Sequence, residues 1–148
     1  MTRSGYSDDF GCGGPEEMWA NIRYRGAVKS AIRGKRGQRL LRNLRDALDA
    51  MPVKELIEME MQAPSGAYCA LGALAAHEGR DLKEMRFDDE TDAERIAEDF
   101  DVATSLIREI VFENDDDFGP YTKDTAEVRK RRWKRVRSWV ESQIRERP

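Results

Sequence analysis

Along most of this chain apolar residues recur at intervals of three and four, the spacing that lines up one stripe of an α-helix. The cleanest case lies at 38–51. There Leu40, Leu41, Leu44, Ala47, Leu48 and Met51 fall within about a third of the helical circumference, and Arg39, Arg42 and Arg45 point away. A helix is expected from about Gln38 to Met51, closed by Pro52. Upstream, Tyr24, Ala27, Val28 and Ala31 share a stripe, and Pro15 followed by Glu16 and Glu17 suits a first turn, which predicts a helix over Pro15–Arg33. Residues 53–62, "VKELIEMEMQ", fit a short helix or an alternating strand equally well. "AYCALGALAAHEG" predicts a small-residue helix ending near Gly79, in which Gly72 and the alanines allow another helix to come close.

Downstream, Thr91 with Glu94 makes a capping box. Ile96, Ala97, Phe100, Ala103, Leu106, Ile107, Ile110 and Val111 then carry a stripe to about Phe112, with a break near Asp101. Thr125 caps a last helix, about Ala126 to Arg145. Its inner face is Val128, Val136, Trp139 and Val140, with Trp133 near the edge. Its outer face is Lys130, Arg131, Lys134, Arg135 and Arg137. Residues 1–14, rich in Gly, Ser and Asp, read as a flexible lead-in. The expectation is an all-α or nearly all-α fold: a single compact bundle of five to six helices over 15–148, with room for one short strand pair.

Composition narrows the class. With 148 residues, 39% hydrophobic and 37% charged, the chain is long enough to bury a core without staples. It has no apolar run near the length of a membrane span and no secretory leader in its first twenty residues, so a bacterial cytoplasm is expected and no membrane partner. Cys12, Cys69 and His77 are too few and too scattered for a structural zinc site, and no metal or other cofactor is expected.

The net charge of −3 hides a segregated pattern. Residues 1–50 carry 10 basic and 6 acidic groups, residues 54–117 carry 6 and 19, and residues 118–148 carry 10 and 4. Either the segments neutralise one another in the fold, or they present separate faces to partners. The basic set Arg25, Lys29, Arg33, Lys35, Arg36 and Arg39 is the first candidate surface. It centres on Gly34-Lys35-Arg36-Gly37, and the stretch Asn21–Arg45 holds nine basic residues and no acidic one. A helix–Gly-x-x-Gly–helix turn with basic middle residues resembles the loop of KH domains, which clamps single-stranded nucleic acid. The pattern is present without the strands that a KH domain places around it. The competing expectation is a glycine-punctuated turn with solvated or ion-paired arginines.

Two further faces compete. Lys130, Arg131, Lys134 and Arg135 form a second basic face. Asp88, Asp89, Glu90, Asp92, Asp115 and Asp116 form an acidic face that could imitate DNA phosphates. For an enzyme the best candidate is Cys69, but His77 is eight residues on, roughly 12 Å along one helix and too far to act as its base. A small buried core residue is the simpler expectation for Cys69.

Finally, "WANIRYRGAVKSAIRGKRGQRLLRNLRDALDAMP", "YCALGAL", "REIVFENDD" and "RWKRVRSWV" together resemble a family of small bacteriophage and prophage proteins of unassigned function. The resemblance implies a phage or mobile-element origin and supplies no catalytic residues. The expected function is a non-catalytic phage-type accessory protein that binds a host protein or nucleoprotein complex, as a host-takeover or anti-defence inhibitor. Nucleic-acid binding and acidic DNA mimicry are the alternatives. The oligomeric state is left open.

Overall fold

The structure, a computed structural model, describes residues 14–85, 90–115 and 123–146. Within them the chain forms α1 (Pro15–Arg33), α2 (Lys35–Ala50), α3 (Ala70–His77), α4 (Glu90–Asp99), α5 (Thr104–Asp115) and α6 (Ala126–Gln143), with a 3-10 turn at Leu82–Glu84. The fold is an all-α bundle. Among the described residues the only strand-like pairing is one antiparallel bridge between Gln62 and Tyr68. The expected lead-in, apart from Gly14, lies outside the described residues.

The core forms where the stripes meet. α2 packs against both α3 and α6, and α5 packs against α1, α4, α6 and α3. Leu41, Leu44 and Leu48 of α2, Leu71 and Leu74 of α3, Leu106, Ile107 and Ile110 of α5, and Val136 and Val140 of α6 are fully buried. Each such side chain contributes about 1.5–3 kcal/mol relative to exposure. That is ample reason for short, polar helices of weak intrinsic stability to form here.

The α1–α2 junction differs from expectation. The tetrad Gly34–Gly37 is not a turn: Gly34 alone joins the helices, and α2 already begins at Lys35. Gly37 lies inside α2, where an added Cβ would sit 1.9 Å from the carbonyl oxygen of Ala31. Its role is the close crossing of α1 and α2, so it is not free to approach a phosphate as the second glycine of a KH loop would. Gly72 in α3 is similar, but what it admits is the backbone of Met61, 1.8 Å from its absent Cβ, and not another helix.

Residues 53–62 are neither helix nor strand. Their backbone groups are claimed from several sides: Leu56 N–H donates to the Arg129 carbonyl at 3.1 Å, and the Ile57 carbonyl accepts from Asn114 at 2.8 Å. The break near Asp101 is present. Asp101 takes a left-handed conformation (φ 53°), and Val102 N–H closes the turn on the Ala97 carbonyl at 2.9 Å. α4 starts one residue before Thr91, which therefore lies within the helix instead of capping it. Thr125 does cap α6, accepting from Val128 N–H. Trp133 and Trp139 are both half-buried against the core, and Trp133 donates to the Leu48 carbonyl at 3.2 Å. Among the described residues no helix is long and apolar enough to cross a membrane.

Candidate functional site

Three segments converge on an open cleft of about 840 Å³. The end of α1 brings Arg33; the first turns of α2 bring Lys35, Arg36, Arg39 and Arg42; the segment after α6 brings Arg145. Gln38, Asn43 and Glu146 complete the lining. Among the described residues, six cations thus face one concave surface whose wall holds a single carboxylate. Backbone adds to the charge. Gly34 offers no side chain to cap α2, and no acidic residue stands in its first turn, so the positive end of the helix opens toward the same side.

The cleft is held together by Gln38, which is buried at the α1–α2 crossing. Its Nε2 donates to the carbonyls of Ile32 and Gln143, both at 2.9 Å. Its Oε1 accepts from the backbone N–H of Arg145 at 2.8 Å. One side chain therefore ties the end of α1, the start of α2 and the tail of α6. Arg42 adds a bond to the Arg145 carbonyl at 2.8 Å. Neither role was expected from composition. The signal lay in spacing, since Gln38 falls on the same stripe as Leu41 and Leu48.

One carboxylate reaches the rim from elsewhere. Asp101, on the α4–α5 turn, accepts from Arg36 at 2.8 Å and from Arg39 at 3.2 Å. The hydrogen bonds from Arg36, then Arg39, hold its carboxyl below the usual carboxylate range. All three side chains remain well exposed. Arg25 and Lys29 lie further back on the exposed face of α1, outside the cleft.

The second basic face is smaller than expected. Lys130, Arg131 and Lys134 are exposed, but Arg135 is half-buried and pairs with Glu113 at 3.4 Å. Arg137, also expected to face outward, is gripped by Asp49 at 2.7 and 3.0 Å and by Glu141 at 2.6 Å. The Arg137 hydrogen bond lowers the pKa of Asp49. Arg132 is buried outright, donating to the Leu56 carbonyl at 2.9 Å and pairing with Glu58 at 3.2 Å. Periodicity marks it, because Val128, Arg132, Val136 and Val140 form one unbroken i, i+4 line.

Of the acidic face, the described residues do not line up. Asp92 is buried beside Arg95, and Asp115 is half-buried at the end of α5. Asp88, Asp89 and Asp116 lie outside the described residues, and Glu90 opens α4. Among the described residues no group of three or more His, Cys, Asp or Glu side chains is placed to hold a metal ion.

Cys69 is the buried N-cap of α3, its Sγ accepting from Gly72 N–H at 3.4 Å. Burial pushes its thiol up to about 12, so it is no ready nucleophile. His77 is exposed at the far end of the same helix. Asn114 and Asp115 do come near Cys69 around a cavity of about 70 Å³, also lined by Met59, Leu71 and Ile110. Asn114 is spent on structure: it accepts from Ala70 N–H at 3.0 Å and donates to Ile57 and to Asp115.

No known protein family, curated protein or solved structure matches this chain.

Proposed function

We propose that this protein works by binding, docking on the phosphate backbone of a nucleic acid, free or within a host nucleoprotein complex, through the basic cleft. The supporting observation is the convergence of Arg33, Lys35, Arg36, Arg39, Arg42 and Arg145 on one concave surface. Like charges that could separate in water are instead held together by the Gln38 clasp, and the uncapped start of α2 adds to their positive potential. Gathering cations in this way opposes folding unless a polyanion offsets the repulsion. Planar guanidinium groups also suit bidentate contact with phosphate oxygens. A phage-type accessory role against a host complex is the setting that the sequence resemblance suggests for such a surface. Acidic mimicry draws less support, because Asp92 is buried and Asp101 is already bound by Arg36 and Arg39.

The test is charge reversal. Lys35→Glu combined with Arg36→Glu shifts the net charge at the cleft mouth by four units on exposed positions. The only ion pair lost among the described residues is the exposed Arg36–Asp101 contact, a kind worth about 0–1 kcal/mol. Binding to labelled oligonucleotides, followed by fluorescence anisotropy, is expected to disappear while helical circular dichroism is retained. Binding equal to that of the unaltered protein removes the proposal.

A further inference from the structure

From Arg33, at the edge of the cleft, an exposed face of α1 runs back toward the start of the helix. At 100° per residue, Met18, Trp19, Ile22, Arg25, Gly26, Lys29 and Arg33 fall within roughly 120° of the helical circumference. This sector contains no carboxylate. Of its basic half, Arg33 lines the cleft, and Lys29 and Arg25, exposed one and two turns back, border a shallow groove shared with Glu109 and Glu113 of α5 and Trp139 of α6. None of Arg25, Lys29 and Arg33 makes an ion pair with a described residue. Its apolar half is bare: Met18 is 57% exposed, Trp19 56% and Ile22 51%, whereas the large apolar residues of the other helices are buried or half-buried.

Gly26 sits between the two halves. A glycine inside a helix costs about 1 kcal/mol relative to alanine, so its presence calls for a reason. Packing supplies none, since an added Cβ would meet nothing within 4 Å. Conformation supplies none either, because Gly26 has no positive φ. The remaining use of a glycine is to let something come close to the helix backbone from outside. An exposed indole, a side-chain gap and a line of cations lie in series over roughly 21 Å from Trp19 to Arg33.

We infer that this face of α1 extends the cleft into a track for single-stranded nucleic acid, with Trp19 as a platform for one base and Gly26 as the point of closest approach. The inference rests on the phosphate-binding reading of the cleft and names the strand class. Unpaired bases present the ring faces that stack on indole, whereas a duplex keeps them turned inward. Arg25, Lys29 and Arg33 supply the backbone contacts between the stacked base and the cleft. The length of the track suits on the order of six nucleotides, within the range of small single-strand-binding folds.

The experiment uses the full chain with a 12-nucleotide single strand and the corresponding duplex. It compares Trp19→Ala, Gly26→Leu and the Lys35→Glu/Arg36→Glu double variant. Leucine at Gly26 enters open space and favours helix, so the fold is not at risk. Trp19→Ala is expected to weaken single-strand binding about tenfold, leaving its salt slope unchanged because no charge is removed. Gly26→Leu is expected to weaken it similarly by blocking the approach, and the single strand is expected to quench the Trp19 fluorescence. Three results overturn the inference: both α1 variants bind the strand like the unaltered protein; the duplex binds as tightly as the strand; or Trp19→Ala alters only self-association in sedimentation. If the α1 variants are silent while the double variant loses binding, only the track fails. If the double variant is silent too, the cleft reading falls with it.

Discussion

Asp115 and Arg132 are both ionisable groups drawn into the molecule, and they fare differently. Arg132 has a carbonyl, Glu58 and, at 3.6 Å, Asp124 around it, which offsets part of the loss of water. Asp115 has chiefly burial, which raises its pKa against the hydrogen bonds from Asn114 and from the Met59 backbone. A carboxyl whose pKa is higher folded than unfolded prefers its proton in the native state. Its charge therefore opposes folding at neutral pH, and the penalty fades as pH falls through the raised pKa to the ordinary carboxylate range near 4. Asp115→Asn is expected to raise the midpoint of thermal unfolding at pH 7 and to give no advantage near pH 4. Melts of both proteins across that range measure it. A gain that persists undiminished at low pH would place the cause in packing instead of charge. The same neighbourhood buries Cys69 and favours its thiol form, in keeping with the buried core residue expected there.

Among the elements, α2 does most to shape the cleft. Its inner stripe fills the core, and its first turns carry four of the six cations. Gln38 joins these two roles, so Gln38→Leu separates them. The substitution keeps an apolar-compatible volume but strands the carbonyls of Ile32 and Gln143 and the N–H of Arg145. A loss of about 1–3 kcal/mol in urea unfolding is expected, with weaker oligonucleotide binding as Arg145 leaves the cleft. Stability loss without a binding defect would show that the tail of α6 is not needed for binding. The helices themselves were largely legible. Pro15 and Thr125 marked the starts of α1 and α6, and the apolar stripes marked the buried faces. What escaped was tertiary. Gly37 looked like a turn residue because glycine punctuates turns, yet its reason is the Ala31 carbonyl across a helix crossing. Residues 53–62 looked like an element because their apolar residues alternate, yet Arg129 and Asn114 dictate their backbone. Of the candidate site, the cations at 33–39 could be read from sequence, but their union with Arg42 and Arg145 required the fold.

For the molecule as a whole, the segregation of charge is resolved unevenly. α6 is largely knitted into its surroundings by Arg129–Asp124, Arg132–Glu58, Arg135–Glu113 and Arg137–Asp49 pairs. The α1–α2 end is not, and it keeps a concentrated positive field. Salt should therefore act on the two ends differently. Arg132–Glu58 and Arg135–Glu113 are partly buried and weakly screened, and the surface pairs Arg129–Asp124 and Arg137–Asp49 are each worth little, whereas on the proposed function release of counterions would govern binding at the cleft. Between 50 and 500 mM sodium chloride the unfolding midpoint is expected to move little. Over the same range, oligonucleotide affinity should fall with a log–log slope of about −3, the value for four to five phosphates on a single strand. A flat binding curve would mean that the cleft does not contact phosphate.

Asp101 gives that field a threshold. By occupying Arg36 and Arg39 from the neighbouring turn, it supplies the single negative charge that a chloride or an isolated carboxylate would bring, and without any loss of translational freedom. A lone monovalent ion has nothing to gain by displacing it. On the proposed function, a ligand that presents several negative groups in succession also meets Arg33, Lys35, Arg42 and Arg145, so valence would favour a polyanion over simple anions.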